Sequence, residues 1–327
     1  MLYRAPWWLA NRHLQTLWGR LVRRLPEVPT RREHWETPDR DVLEIERLDA
    51  PAADAPRLVL LHGLEGTARS HYVRGTFAEA RRRGWGADLL LFRGCGGALN
   101  RTRRFYHSGE TGDLAWVVDR VRGEFPGAPI VLAGYSLGGN VLLKWLGERG
   151  TDLPPAVRAA AAVSVPFDLA RGAVHIQRGF ARVYEAHFLQ SLKQKALAKQ
   201  AIFPDLADPA RIEAARTIVE FDDVVTSRLH GFADAADYYA RSSALGYLSR
   251  IRVPTLLLSA VDDPFLPADV LDRVRAIAAR TPALTVEFLP RGGHVGFVSG
   301  PIWRPFYWGE WRVADYLGSM LRHDRQR

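Results

Sequence analysis

Residues 129–148 read PIVLAGYSLGGNVLLKWLGE and contain the pattern G-x-S-x-G at Gly134–Gly138. The pattern alone is a weak signal, but here an apolar strand-like run precedes it and a helical pattern follows it. A strand, a sharp turn and a helix in this order form a nucleophile elbow, which holds its serine in a strained conformation. Gly134 and Gly138 lack a Cβ atom, so strand and helix can approach closely around the serine. The stretch therefore predicts Ser136 as a nucleophile.

Short apolar runs alternate with helical patterns along most of the chain. The predicted strands are Arg57–His62, Ala87–Phe92, Ile130–Gly134, Ala159–Val165, Thr255–Ala260 and Leu284–Leu289. The predicted helices are Ser70–Arg83, Asp113–Glu124, Leu137–Glu148, Ala268–Arg280 and Tyr307–Leu321. This alternation is typical of βαβ units, and wholly apolar strands indicate cover on both faces. We therefore expect an α/β fold with a mostly parallel central sheet, helices on both faces, and one or two antiparallel edge strands within Glu33–Leu48.

The alternation is interrupted once, between residues 167 and 250. Only helical patterns occur there, such as Arg182–Lys199 and Pro209–Glu220. So long a connection between two strands is uncommon unless it is functional. We expect a helical cap at 167–250, inserted into a core made of residues 1–166 and 251–327. Aromatic residues of this insertion could line an acyl pocket or form only the cap's own core; they are Phe180, Tyr184, Phe188, Phe232 and Tyr238.

Composition excludes several classes of protein. The 327 residues are 47% hydrophobic and 25% charged, ordinary values for a globular chain. The net charge of +9 could indicate nucleic-acid binding. However, the arginines are scattered and no nucleic-acid-binding motif is present. We therefore expect no nucleic-acid partner.

Cysteine content and hydropathy constrain the cell compartment. The single cysteine, Cys95, excludes an intramolecular disulfide and a cysteine-based zinc site. No apolar run reaches the ~18–20 residues of a membrane-spanning helix, and the N-terminus lacks the apolar core of a signal peptide. We expect a cytoplasmic protein that needs no cofactor and no metal.

An acid and a histidine follow the last two predicted strands. Asp262 and Asp263 come directly after Thr255–Ala260, and His294 follows Leu284–Leu289 in a glycine-flanked loop. Along the chain, α/β-hydrolases carry the nucleophilic serine first, then the acid, then the histidine. The histidine is the base, and the acid orients it. Asp263 precedes a proline and fits the D-x-x-x-P spacing, so we expect it to be the acid and Asp262 to face elsewhere or cap the turn.

Two backbone N–H groups are candidates for an oxyanion hole. One belongs to Leu137, directly after the nucleophile. The other belongs to Leu64, in the loop HGLEG that follows the strand at residues 57–62. The alternative, a phosphate-binding loop, lacks both G-x-x-x-x-G-K-[ST] and G-x-G-x-x-G. We therefore predict Leu64 and Leu137 as oxyanion donors.

The N-terminal segment mixes tryptophan, leucine and arginine. Within residues 7–24, apolar side chains such as Trp7, Trp8 and Trp18 alternate with arginines. Such a mixture is typical of an interfacial segment that lies on a membrane. The alternative is that residues 1–30 form a brace packed on the core. Both interpretations stay open at this point, with the brace preferred.

Several motifs together resemble one family, the YheT-like or AB hydrolase 4 group of α/β-hydrolases. They are NRHLQT at 11–16, HGLEG at 62–66, FRGCGG at 92–97, YHSGET at 106–111, GYSLGGN at 134–140, SVPFDL at 164–169, HGF at 230–232, YY at 238–239, DDPF at 262–265 and GGHVGF at 292–297. The resemblance covers nearly the whole chain, although Arg12 replaces the usual proline. It implies a serine carboxylesterase or lipase, with relatives that act on acyl esters or phospholipids.

The sequence therefore predicts a serine hydrolase that cleaves acyl esters through an acyl-enzyme on Ser136. Short- or medium-chain acyl or lipid esters are the expected substrates. One alternative is an acyltransferase that uses the same residues, because water and another nucleophile would attack the same intermediate. Another is a binding protein with this fold and no catalysis, although such a protein needs none of Ser136, Asp263 and His294.

Overall fold

A computed structural model describes residues 1–324. Its main sheet has eight strands in the order β1-β2-β4-β3-β5-β6-β7-β8. The strands are β1 Arg31–Glu36, β2 Val42–Leu48, β3 Arg57–Leu61, β4 Gly86–Leu91, β5 Ile130–Tyr135, β6 Val157–Val163, β7 Thr255–Ala260 and β8 Leu284–Leu289. Strands β3 to β8 run parallel, whereas β2 pairs antiparallel with both β1 and β4. The predicted mostly parallel sheet with an antiparallel edge is confirmed.

Helices cover both faces of the sheet, so the central strands β3, β4, β5 and β7 are buried throughout. One face packs against α3 Gly112–Glu124, α4 Leu137–Arg149 and α11 Asp269–Ala278. The other packs against α2 His71–Arg82 and α12 Trp308–Asp324. Parallel strands place all their carboxyl ends at one edge of the sheet, so the loops that follow β3, β5, β7 and β8 meet there.

Between β6 and β7 the structure contains only helices and turns. They are α5 Leu169–His175, α6 Ala181–Ile202, α7 Pro209–Ala214, α8 Ile218–Phe221, a π-helical turn Asp222–Thr226, α9 Ser227–His230 and α10 Ala235–Ser242. Two small apolar clusters of their own hold these helices together. A third cluster joins Ile176, Ala181 and Tyr184 to Phe265, which follows β7.

The N-terminal segment forms a helix that the sequence analysis did not predict, α1 Arg12–Leu21. The Asn11 side chain accepts hydrogen bonds from the N–H groups of His13 and Leu14 and so caps the helix. A short hairpin, β9 Val298–Ser299 with β10 Phe306–Tyr307, was also not predicted. Four single turns of 3₁₀ helix complete the described elements; they are Trp7–Leu9, Gly150–Asp152, Ala244–Gly246 and Leu248–Arg250.

Strand boundaries differ from the prediction at β6. The strand was expected at Ala159–Val165, but it runs from Val157 to Val163. It ends early because Ser164 adopts a φ of 51°, which lies outside the β region and turns the chain away from the strand direction. Within the described residues, no helix is long and apolar enough to cross a membrane.

Candidate active site

Ser136 lies at the sharp turn between β5 and α4. Its backbone has φ 52° and ψ −121°, a strained conformation for a residue with a side chain. A Cβ atom at Gly134 would lie 2.5 Å from the carbonyl oxygen of Gly138, and one at Gly138 would lie 2.4 Å from that of His62. Only glycine therefore allows strand, turn and helix to pack this closely, as the sequence predicts.

The structure brings Ser136, His294 and Asp263 into one hydrogen-bonded chain. The Nε2 atom of His294 lies 2.9 Å from the Ser136 hydroxyl oxygen, and its Nδ1 atom lies 2.8 Å from Asp263 Oδ2. Asp263 and His294 are buried, with 2% and 8% of their surface exposed. The second Asp263 oxygen accepts the backbone N–H of Phe265 at 2.8 Å, which orients the carboxylate. An imidazole between a hydroxyl and a buried carboxylate can accept the hydroxyl proton.

The adjacent residues Asp262 and Asp263 have different hydrogen-bond partners. Asp262 forms no hydrogen bond with His294; its Oδ1 atom accepts the backbone N–H of Gly293 at 3.0 Å. Burial raises the pKa of Asp262 above its ordinary value, and the Asp263 carboxylate raises it further, although backbone hydrogen bonds lower it. Asp262 thus holds the loop that carries the histidine, whereas Asp263 holds the histidine ring. The structure thus places Asp263, and not Asp262, beside His294; that Asp263 is the catalytic acid stays a prediction.

The His294 loop is fixed by residues far away in sequence. The backbone N–H of His294 donates to Thr16 Oγ1 at 2.9 Å, and that of Val295 donates to Ser164 Oγ at 3.0 Å. The ring of Phe265 stacks on the His294 ring with centroids 4.1 Å apart. A Cβ atom at Gly293 would lie 2.5 Å from the carbonyl oxygen of Arg12, so α1 packs directly on this loop.

The N-terminal motif NRHLQT therefore takes part in the site, a role that sequence reasoning missed. Gln15 is 1% exposed and makes two hydrogen bonds with the backbone of Val298, one through each atom of its amide, both 3.0 Å long. Thr16 supports His294, as described above. The available signal was the polar Gln-Thr pair inside an apolar helical segment, because buried polar side chains need partners.

Leu64 and Leu137 each present a backbone N–H that no other described residue of 1–324 accepts. The flanking N–H groups are satisfied: Gly63 donates to the Tyr72 hydroxyl at 2.9 Å, and Glu65 donates to the Tyr106 hydroxyl at 3.0 Å. A Cβ atom on Gly63 would lie 3.1 Å from the Cβ of Ser136. The glycine thus lets the loop after β3 lie against the serine, and both leucines line the same cavity as Ser136.

Glu65 anchors that loop, and sequence reasoning did not single it out. Its backbone has a φ of 55°. The Oε1 atom accepts the Tyr106 hydroxyl at 2.7 Å and the Lys195 ammonium at 2.9 Å, while Oε2 accepts the Ser191 hydroxyl. Burial alone would raise the pKa of Glu65, but Lys195 and these hydrogen bonds bring it below its ordinary value. Since Ser191 and Lys195 belong to α6, the loop is tied to the helical region between β6 and β7.

His62 and Cys95, which lie near the site, lack the geometry of a catalytic base or nucleophile. The Nδ1 atom of His62 lies 2.7 Å from the Gly63 carbonyl oxygen and its Nε2 accepts the Phe92 N–H, so both ring nitrogens are occupied. Burial lowers the pKa of His62 to about 4. Burial raises the pKa of the Cys95 thiol to about 12, which keeps it protonated and unreactive.

A cavity of about 610 Å³ opens beside Ser136 and His294. Apolar side chains from several elements line it, among them Leu17, Leu64, Leu169, Ile176, Phe188 and Leu266. A smaller cavity of about 100 Å³ adjoins it behind Leu64 and Leu137, and residues such as Phe105, Leu192 and Val225 line that one. The shape and lining suit a ligand with an extended apolar part.

Only three of the five aromatic residues that were candidates for an acyl pocket line a cavity. Tyr184, Phe188 and Tyr238 line the larger cavity, but Phe180 and Phe232 line neither. Phe180 is 52% exposed and packs on His13, because α6 begins at the protein surface. Phe232 packs on Tyr238 and His107 instead.

A buried acid of the π-helical turn also lines both cavities. Asp222 accepts hydrogen bonds from the hydroxyls of Thr226 at 2.6 Å and Tyr239 at 2.7 Å. Burial raises its pKa to about 6, since these two neutral donors only partly replace water around the carboxylate.

Comparison with known proteins agrees with this geometry. The family model for the alpha/beta hydrolase fold matches residues 56–301. The chain is 42% identical to the protein YheT of Escherichia coli over 95% of this chain and 92% of that protein. It is 29% identical to the phospholipase ABHD3 of Mus musculus, over 98% of this chain and 79% of the relative.

A solved structure with this fold is that of an esterase from Pyrococcus furiosus, at a TM-score of 0.59. That match covers 90% of this chain and 91% of the other at 15% identity, and it supports the fold alone. The family model and the 42% identity to YheT assign this protein to the α/β-hydrolase family, as a hydrolase of the esterase and lipase type in the group that includes YheT.

Proposed function

We propose that this protein hydrolyses acyl esters through a covalent acyl-enzyme on Ser136. The observation that carries the proposal is the continuous hydrogen-bonded chain from Ser136 Oγ through His294 to Asp263, with distances of 2.9 and 2.8 Å. Its position beside a largely apolar cavity, at the carboxyl edge of the sheet, supports an acyl substrate. The resemblance to esterases and a phospholipase supports the same class of substrate.

In the acylation step, Ser136 Oγ attacks the ester carbonyl carbon while its proton moves to His294 Nε2. The carbonyl π electrons move to the oxygen, which becomes an oxyanion. The N–H groups of Leu64 and Leu137, which no other described residue accepts, stabilise this charge together with the N-terminal dipole of α4. When the tetrahedral intermediate collapses, the bond to the alcohol breaks and the alcohol leaves with the proton held by His294.

In the deacylation step, water takes the place of the alcohol. His294 Nε2 accepts a water proton as the hydroxide oxygen bonds to the acyl carbon, and the second collapse returns the proton to Ser136. Asp263 accepts the Nδ1–H of the ring in both steps and stabilises the imidazolium. The carboxylic acid then dissociates. An acyltransferase would differ only in the nucleophile that enters at this step.

We propose medium-chain acyl esters, including lipid esters, as substrates. Each methylene buried in the cavity contributes ~0.8 kcal/mol, about fourfold in binding. Tyr184, Phe188 and Tyr238 from the region between β6 and β7 bring apolar surface to the cavity. We therefore assign residues 167–250 as a cap that shapes the acyl pocket.

The first test is labelling with a fluorophosphonate probe. The wild-type protein should become labelled, and Ser136→Ala should abolish labelling and lower ester kcat/KM by about 10⁴-fold or more, with an unchanged circular dichroism spectrum. Ser319→Ala, a change on α12 away from the site, is the control and should label normally. Labelling or turnover that persists in a folded Ser136→Ala protein would contradict the proposal.

The second test is a chain-length series of one alcohol's esters. From acetyl to butyryl to octanoyl, kcat/KM should rise by about fourfold per methylene until the cavity is filled. Equal values for the three esters would contradict the acyl pocket but leave Ser136 as nucleophile.

A further inference from the structure

Three segments of the chain that are separate in sequence meet around the mouth of the larger cavity. Residues 1–24, 169–184 and 291–309 form what we call the mouth face. The Trp8 indole N–H donates to the Gly300 carbonyl oxygen at 3.0 Å, which joins the first segment to the third. The rings of His13 and Phe180 lie 4.8 Å apart, which joins the first to the second. Thr16, Leu17, Gly172, Ile176 and His294 from these segments line the cavity itself.

The mouth face carries most of the exposed large hydrophobic side chains of residues 1–324. Among the described residues, thirteen large hydrophobic side chains are exposed, and eleven of them belong to this face. They are Met1, Leu2, Trp7, Leu14, Leu21, Val22, Val174, Phe180, Val183, Ile302 and Trp303. Trp7 is 87% exposed and Trp303 is 85% exposed. Such a concentration on one side is unusual for a surface that faces only water.

The three segments of this face are also strongly basic. They contain ten arginines and neither aspartate nor glutamate. Two of these arginines form ion pairs, Arg23 with Glu310 and Arg171 with Asp269. The other eight form no ion pair with a residue of 1–324; they are Arg4, Arg12, Arg20, Arg24, Arg178, Arg182, Arg291 and Arg304. By contrast, Arg82 and Arg83 at the C-terminal end of α2 both pair with Glu79. The mouth face thus complements an anionic partner.

We propose that the mouth face binds the surface of an anionic lipid bilayer. Exposed tryptophans and aliphatic side chains interspersed with arginine are the features of protein segments that lie in a membrane interface. The arginines could also bind the phosphates of a nucleic acid, but the exposed leucine, valine and isoleucine side chains would have no apolar partner there. In this orientation the cavity opens toward the bilayer, so an apolar substrate enters without crossing water. The inference goes beyond the proposed ester hydrolysis and does not depend on turnover.

The experiment is co-flotation of the full chain with vesicles, carried out with the wild-type protein and with Ser136→Ala. Both should bind vesicles of phosphatidylcholine that contain about one third phosphatidylglycerol, because about five-fold in affinity is expected per interfacial arginine. Binding should weaken on pure phosphatidylcholine and at about 0.5 M salt, where surface charges are screened. Equal binding by the two proteins separates this inference from the catalytic one.

Variants then assign the binding surface. Trp7→Ala with Trp303→Ala, and separately Arg178→Glu with Arg182→Glu, should each weaken vesicle binding at least about tenfold. The matched controls are Ile202→Ala, an exposed side chain at the end of α6, and Arg81→Glu with Arg82→Glu, at the opposite edge of the sheet. Hydrolysis of a short water-soluble ester should stay unchanged in all four, which shows that they fold.

Three results would overturn the proposal. The first is the absence of flotation with anionic vesicles. The second is an equal loss of binding in the control variants, which would make the attraction a property of net charge. The third is a dimer in light scattering that Trp7→Ala with Trp303→Ala dissociates, because the face would then be covered by a second copy of the chain.

Discussion

Asp88 and Asp263 are both buried carboxylates of the central sheet, but they have different partners. Asp88 lies within β4 and is 0% exposed; its Oδ2 atom accepts Arg57 Nη2 at 2.6 Å, and Oδ1 accepts the Nε of Arg47. Asp263 follows β7 and accepts a histidine whose other nitrogen reaches a serine at a cavity. A closed set of permanent charges can only hold the sheet together. A carboxylate behind a titratable ring that faces a cavity can help to move a proton.

The largest expected effect concerns Asp263. Asp263→Asn should lower kcat/KM by about 10⁴-fold, because an asparagine amide favours the wrong tautomer of His294. Asp262→Asn should cost much less, since it leaves the His294 ring untouched and its amide oxygen can still accept the Gly293 N–H. Steady-state ester kinetics of both purified variants measure this difference. The reverse ranking would move the acid to residue 262.

Asp88→Asn tests the other side of the comparison. It leaves Arg47 and Arg57 buried without a full counter-charge, so the free energy of unfolding should fall by roughly 3–5 kcal/mol. Urea unfolding at neutral pH measures the loss. At a temperature where the variant is folded, kcat/KM should remain within about twofold of wild type. A large drop in kcat/KM would mean that the Asp88 cluster also shapes the active site.

Asp222 should make stability depend on pH. Its folded-state pKa of about 6 lies above the ordinary 3.8, so the folded protein holds this proton more tightly than the unfolded chain. The contribution of Asp222 to stability is therefore largest below pH ~4 and falls, by up to about 3 kcal/mol, as pH rises through ~6. Asp222→Asn should remove this part of the slope. Urea unfolding of both proteins across that range tests it, and identical slopes would contradict it.

The smallest expected effect is that of Glu65→Gln. Weaker attachment of the loop to Lys195 should displace the Leu64 N–H and lower kcat about tenfold, with KM within about twofold. Affinity for a boronic acid that mimics the tetrahedral intermediate should fall by the same factor as kcat. Glu79→Gln, which breaks an exposed ion pair with Arg82, is the matched control. If the boronic acid binds Glu65→Gln as tightly as wild type, the loop does not depend on this anchor.

Local sequence signals were sufficient to predict the strands of the main sheet and the order of the candidate site residues along the chain. Apolar runs predict strands because buried strands need apolar side chains on both faces, and the glycines beside Ser136 mark a turn that no other residue permits. Since parallel strands end at one edge, Ser136, Asp263 and His294 could be expected to meet. The separation of Asp262 from Asp263 also followed from spacing, although the partner of Asp262 did not.

Contacts between segments distant in sequence were decided only by the tertiary structure. Thr16 reaches His294 across 278 positions, and Lys195 reaches Glu65 across 130. Neither pairing leaves a periodic signal, because a single buried polar contact depends on where two elements pack, and the pattern of either element does not encode it. For the same reason Phe180 was expected in the pocket but lies on the surface. The sequence by itself determined the strands and the chemical groups of this hydrolase; the packing of α1 and α6 determined how those groups are held and what surrounds the cavity.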